Sequence, residues 1–437
     1  MSDLDFARAQ MTVSLAFHIL FAVAGMAMPL LMLIAGVLHA RTGASAYEAL
    51  MERWAKGTAI LFAVGAVSGT VLSFELGLLW PRFMQVFGPV VGLAFGLEGW
   101  AFFLEAIFLG FLLYGKGRIS PKFRIFAASV VALSGLASVV FVMAVNAFMH
   151  APSGVELTAS GELGRFSPWA PFASEAFPSM ASHMALAAYA SVSVLVLGIH
   201  AAGLRRAPSS AFHAAAVRIA LGVAVVVVPA QIVTGDWSAK HVASHQPIKL
   251  AAAEGLFETA TPASLAIGGW PDVEARTLRG AIHVPRMLSI LAFGDPNATV
   301  RGLNEFPREQ WPNVPLIHIA FQIMVFAGSV MLGVVGLGAV LWWRRQGAFQ
   351  EVAWYLRLAS WAAPLGLIAV EAGWVVTECG RQPWLVFGLM RVKDAVVPMA
   401  GLAVPFTAFT VLYLVLGGVV IAMLRAHVLR APAGGAK

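Results

Sequence analysis

The chain has 437 residues, 59% of them hydrophobic and 12% charged, with a net charge of +7. Soluble domains are roughly a quarter charged, so an ordinary soluble protein is excluded. The Lys and Arg residues sit in short loops between apolar runs, which argues for orientation in a lipid bilayer and against a nucleic-acid partner.

Apolar runs of the length that crosses a hydrocarbon core predict helices at 11–38, 57–80, 90–114, 125–149, 178–203, 215–237, 314–343, 357–379 and 396–424. The first run starts near Met11 and is too long for a signal core, so it is expected to stay as a helix. In lipid the backbone must satisfy itself, and none of these runs shows the period-two polarity of a strand. The fold class is therefore all-α, a polytopic membrane bundle of about nine transmembrane helices. Basic residues mark alternate connections: Arg41, Arg53 and Lys56; Lys116, Arg118, Lys122 and Arg124; Arg205, Arg206 and Arg218; Arg344, Arg345 and Arg357; and Arg425, Arg430 and Lys437 in the tail. By the positive-inside rule these face the cytoplasm, the N-terminus lies outside and the C-terminus inside. The chain divides into helices one to six (1–237), a long outer connection of mixed polarity (238–313), and helices seven to nine with a short tail (314–437). Connections this long are often functional. The one cysteine, Cys379, excludes a disulfide and a multi-cysteine metal or iron–sulfur site.

Ionisable groups at membrane depth are costly and usually mark function. His18 stands in Leu15-Ala-Phe-His18-Ile-Leu-Phe with nothing local to satisfy its imidazole. It is either a haem iron ligand or bonded to a carbonyl of a neighbouring helix. Glu98 and Glu105 are close to two turns apart and share a face. Two acids there cannot both ionise cheaply. They are an iron ligand with a proton-relay acid, or members of ion pairs between helices. His183, near the outer end of helix five, and Met324, in helix seven, would make a His/Met pair for a six-coordinate electron-transfer haem. A Met in an apolar helix is more often simple packing.

Helix eight ends in Glu371-Ala-Gly-Trp374-Val-Val-Thr-Glu378-Cys-Gly-Arg381-Gln-Pro-Trp384, the densest polar cluster in any predicted helix. Spacings of three, four and three put Glu371, Trp374, Glu378 and Arg381 on one stripe. Arg381 either forms a plain salt bridge or holds haem propionates while Glu378 approaches iron. In the outer connection, Lys249 and Glu254 of Gln246-Pro-Ile-Lys249-Leu-Ala-Ala-Ala-Glu254 could bond the two oxygens of a quinol, although spacing alone favours an exposed charged loop. Arg8, Gln10, Glu75, Asn146 and Asp236 are weaker candidates. Arg8 could pair with a propionate, and Glu75 and Asn146 could belong to a proton path.

Together these segments resemble subunit I of the cytochrome bd family of quinol oxidases, along nearly the whole chain. The most specific piece is the Glu371–Trp384 stretch. Arg8-Ala-Gln-Met through His18, the Glu98–Glu105 stretch and the Gln246–Glu254 stretch come next, the last being similar to the quinol-binding part of the family's Q-loop. The resemblance implies that His18 ligates one haem of a dihaem site, with Glu378 near the other iron and Glu98 a further ligand or its neighbour. It implies that His183 and Met324 hold a low-spin haem b, and that Glu105 delivers protons. Trp374 and Arg381 would support the haem pair, with Lys249 and Glu254 at the quinol. It further implies a high-spin haem b, a haem d or third haem b, a second large subunit (subunit II), and perhaps a small single-helix subunit. The setting would be the bacterial cytoplasmic (inner) membrane, where O2 is reduced to water without a pumping step. Gln322 departs from the pattern, standing two before Met324 where many members carry Arg. The short outer loop is similar to that of the short-loop, cyanide-insensitive branch.

Two rival classes remain on the sequence. A secondary transporter would bind substrate or ions at the intramembrane acids, but it predicts inverted repeats and broken helices at matching positions, and neither is found. A haem-bearing membrane reductase would hold low-spin haems only, with no open iron.

Overall fold

A computed structural model describes residues 3–158, 160–345, 348–396 and 401–428. The helices are α1 (Asp3–Thr42), α2 (Ser45–Leu79), α3 (Pro81–Tyr114), α4 (Pro121–His150), α5 (Phe177–Arg206), α6 (Ala211–His245), α7 (Pro247–Glu254), α8 (Met287–Phe293), α9 (Val314–Arg344), α10 (Ala353–Ala362), α11 (Leu365–Gly380), α12 (Val392–Ala395) and α13 (Ala403–His427). Among the described residues, nine helical spans are long and apolar enough to cross a membrane, α10 and α11 together forming one of them. That span breaks at Ala363-Pro364. A proline has no N–H to give and its ring crowds the preceding turn. The predicted start of the ninth helix at 396 falls partly on residues outside those described, as do Arg430 and Lys437.

Local chemistry sets several helix starts. Ser120, Ser210 and Asn313 accept from Phe123, His213 and Leu316 backbone N–H groups, capping α4, α6 and α9. Prolines open α3, α4, α5, α7 and α9, where a missing N–H costs nothing. Short antiparallel pairs occur in the connections, among them Leu265–Ile267 with Ile282–Val284 and Trp384–Val386 with Met390–Arg391.

The bundle is built around α1. Its most apolar stretch is 72% buried, against 11% for α2 and α13. It packs on α2, α4, α5 and α13. Close approach relies on small residues, as is usual between membrane helices. Gly366 of α11 lies directly on the backbone of Ser191, and Gly198 of α5 on that of Ala359 in α10. Large exposed apolar side chains such as Trp100, Phe103 and Ile107 on α3 and Leu414 and Val415 on α13 face outward.

The basic connections gather at one end. Lys116 and Arg124 pair with Glu52 and Glu48 across the α1–α2 and α3–α4 junctions. Arg53 lies over Phe212 at the α5–α6 junction and reaches the Val428 carbonyl at the chain's far end. The opposite end carries the long connection, Arg82 bonded to Glu162, and the Phe387 N–H bonded to the Met149 carbonyl.

Candidate functional site

His18 faces α2. Its Nδ1 lies 3.0 Å from Ser68 Oγ, whose hydroxyl donates to the Val64 carbonyl at 2.8 Å. Ser68 therefore accepts from Nδ1–H, and the ring's Nε2 keeps its lone pair. Ligating histidines are typically oriented in this way. Gly69 lets the ring lie close, since a Cβ there would stand 3.0 Å from Cε1. The Phe62–Phe102 stack at 4.6 Å fixes how α3 lies along α2. Glu98 stands one turn from Phe102 on α3. Glu105, two turns further along α3, is buried between Met26 of α1 and Gly135 of α4. Neither Glu98 nor Glu105 has an ion-pair partner among the described residues, so the expectation of ion pairs between helices is not met.

His183 faces α6, within 3.2 Å of Gln231 Nε2 and 3.4 Å of Thr234 Oγ1. Gly235 makes room for its ring. Met324 of α9 packs against α11, where a Cβ at Gly373 would stand 3.2 Å from its Sδ. Next to Gly373 on α11, the Trp374 indole N–H is buried with no hydrogen-bond partner among the described residues, and so is one oxygen of Glu371. Buried polar groups normally find partners, so these unmet atoms mark places where the protein's own chain does not complete the packing.

The end of α11 is more fully paired, although Arg381 Nε and Asn146 Oδ1 have no partner among the described residues. Arg381, nearly inaccessible to solvent, donates to Glu378 Oε2 at 2.8 Å and to His150 Nδ1 at 3.0 Å. Asn146 donates to Glu378 Oε1 at 2.6 Å. His150 Nε2 lies 3.1 Å from the Thr377 carbonyl and Gln246 donates to the His150 carbonyl at 2.7 Å. Arg8 reaches the same end through Gln382 at 3.3 Å. It stands ten residues before His18, about 15 Å along α1, so its place is at α11 and not at the His18 ring. His150 escaped the sequence reading, although it follows Asn146 by one turn and shares its face. Ser68, Gln231 and Thr234 also escaped it, because a hydroxyl or amide in an apolar helix carries no local signal of its partner.

Lys249 and Glu254 are not an exposed charged loop. Both lie on the short helix α7 and are buried. Lys249 donates to the Thr377 carbonyl at 3.3 Å and packs on Gly380, so it joins the α11 network. Burial, then the Arg381 charge, pulls its pKa down to about 7, with Glu378 opposing. Burial pushes the Glu254 carboxyl up to about 8. Glu254 Oε2 has no partner among the described residues. It lines a cavity of about 190 Å3 with Ala266, Leu278 and His283. Glu75 forms a separate buried cluster, accepting from Gln10 at 2.9 Å and Ser14 at 2.8 Å, with Tyr413 donating to Ser14.

This geometry can be set beside known proteins. The profile of the family described as "Cytochrome bd terminal oxidase subunit I" matches residues 6–432. The chain is 35% identical to the putative cytochrome bd menaquinol oxidase subunit I of Bacillus subtilis, over 97% of this chain and 96% of that one. It is 29% identical to the cytochrome bd ubiquinol oxidase subunit 1 of the same organism, over 96% and 92%. The fold matches a solved bd oxidase from Geobacillus thermodenitrificans with a TM-score of 0.91 and 34% identity, covering 98% of this chain and 99% of that one. The chain belongs to the cytochrome bd terminal oxidase subunit I family. It is thus a multi-pass component of a bacterial membrane oxidase, and its family carries haem. The transporter reading finds no support in any of these matches.

The residues fit such a group. His18 offers an oriented Nε2, Met324 lies against a glycine on α11, and the Trp374 and Glu371 atoms near it are buried and unmet.

Proposed function

We propose that this chain oxidises membrane quinol at α7 and holds the haems at which O2 is reduced to water. The observation that carries the reading is the coexistence of an oriented, buried imidazole at His18 with unmet polar atoms along α11. Haem, when bound, supplies the one-electron relay and the iron that reacts with O2. His18 would ligate one haem of a close pair, with Glu378 and Glu98 as candidates at that pair. His183 and Met324 would hold the low-spin haem b. The pair would comprise a high-spin haem b and either haem d or a third haem b.

The chain's own residues then do the following work. Glu254 and Lys249 bond the quinol oxygens and take its protons, both being held near neutrality by burial. Glu105, buried without an ion-pair partner among the described residues, would relay protons toward the haem pair. Arg381 and Arg8 offer donors to propionates at the end of α11. Trp374 would pack on a porphyrin face. With the basic end of the bundle facing the cytoplasm, quinol protons leave outside while those for water come from inside. Charge separates without a pump. A second large subunit, and perhaps a small single-helix one, complete the enzyme.

Absorption spectra of the purified oxidase, reduced and then exposed to carbon monoxide, test this. Haem bands of which only part shift on adding the gas are expected. Bands unmoved by the gas would favour a reductase with no open iron, and no bands at all would end the haem reading. Extracted-pigment analysis separates haem d from haem b.

A further inference from the structure

Two side chains of α9, His318 and Gln322, tie the outer connection to the helix that carries Met324. They are one turn apart and share a face. His318 is fully buried. Its Nδ1 lies 2.9 Å from the carbonyl of Ala253, the residue before Glu254, and its Nε2 lies 3.2 Å from the carbonyl of Gly268. Gln322 takes the same hairpin from the next turn. Its side-chain oxygen accepts from the Gly268 N–H at 2.9 Å, and its amide donates to the Ala266 carbonyl at 3.1 Å. Glycine at 255 admits the ring: it closes α7 at φ +64, and a Cβ there would stand 3.2 Å from His318 Nδ1.

The held segments border one cavity. Glu254, Gly255 and Ala266 all line it. The free oxygen of Glu254 has no partner among the described residues, so the backbone at Ala253 governs where that carboxyl points. Gln322 stands where an Arg was expected from the family resemblance, and in this chain its amide is committed to the hairpin.

We propose that His318 and Gln322 are positioning residues for quinol oxidation: by fixing Ala253 and the 266–268 segment they aim Glu254 into the cavity and hold another part of its lining. This rests on reading α7 as the quinol site. Deleting a hydrogen bond to a buried carbonyl leaves that group unsatisfied. A misdirected carboxyl should then lower kcat/KM for quinol about tenfold.

The test uses the complete oxidase with His318→Phe, which keeps the ring shape without the donor, and His318→Gln, which keeps a donor. His318→Phe is expected to lose about tenfold in kcat/KM for quinol. Its reduced haem spectrum and the single-turnover O2 reaction of chemically reduced enzyme should stay unchanged. His318→Gln should recover most of the loss. The double variant with Glu254→Gln should be no worse than Glu254→Gln alone, since both act through one carboxyl. Normal quinol kinetics in His318→Phe beside an impaired Glu254→Gln overturns this proposal only, as does a fully additive double variant or loss of haem bands. Normal kinetics in Glu254→Gln overturns the site reading and the proposal with it. If His318→Phe does not assemble, Gln322→Leu carries the same comparison.

Discussion

Two buried regions of this protein differ in how far their polar groups are paired within the chain. At the end of α11, Glu378, Arg381, Asn146, His150 and Lys249 bond to one another or to nearby carbonyls, so charge is matched within the chain. Only one or two turns back along α11, Trp374 Nε1 and Glu371 Oε1 have no partner among the described residues, and neither do Glu98 and Glu105 on α3. The first region is mostly paired within the chain, with Arg381 Nε and Asn146 Oδ1 left over, and should matter to folding as well as to the haem and quinol roles proposed for its members. The second is completed by something the chain does not supply, and should matter to cofactor and proton chemistry.

Substitutions can break this contrast. The largest effect is expected from Arg381→Leu. Removing the guanidinium leaves Glu378 without its countercharge and the Nδ1 of His150 without its donor. Breaking a buried pair from one side costs about 3–5 kcal/mol. Low yield and an early thermal transition are expected, and a variant that melts like the parent would show that the α11 network is not what holds this end together. Met324→Leu should behave in the other way. It conserves volume, so its cost to stability is below about 1.5 kcal/mol. The low-spin haem signal should vanish or shift, and quinol oxidation should stop while the melting temperature holds. An unchanged spectrum removes Met324 from the ligands.

Ser68→Ala sharpens the comparison at smaller scale. The hydroxyl accepts from His18 Nδ1–H and so orients a ring whose other nitrogen is free. Loss of such an outer partner typically weakens binding about 10–100-fold. Titrating haem back into depleted protein should show a weakened site for one haem, with the His183/Met324 haem unaffected. Equal retention of all haems would show that Ser68 merely caps the imidazole.

Much of this was legible in the sequence, for a physical reason. A long apolar run has few stable forms in lipid, so the spans were readable from length alone. Their ends were not. α6 runs on to His245 because Asp236 and Lys240 form an i,i+4 pair that continues the helix past its apolar stretch. The Glu378–Arg381 pair was readable because i,i+3 residues are neighbours on any helix. His150 and His318 were not, since their partners lie on elements up to 231 residues away and, for His318, are backbone carbonyls. The burial of Lys249 and Glu254 was hidden for the same reason. It depends on α11 and the hairpin closing over α7, and no spacing within α7 reports that.

That burial yields the mildest prediction and the one that tests the quinol reading most directly. To take a proton from quinol, Glu254 must be a carboxylate and Lys249 a free amine. Glu254, raised to about 8, is mostly protonated at neutral pH, and its base form accumulates as pH rises through 8. Lys249, lowered to about 7, becomes a free amine as pH rises through 7. Both shifts therefore act in the same direction. The kcat/KM for quinol should climb severalfold as pH rises from below about 7 to above about 8 and then level off. The two groups titrate as a pair, so the profile reports the pair and not each residue separately. Glu254→Gln should remove the upper part of the rise and Lys249→Ala the lower, each with its haem spectrum intact. A profile that is flat in the parent enzyme, or that keeps its shape in both variants, would mean the quinol protons go elsewhere and that α7 only packs against the end of α11.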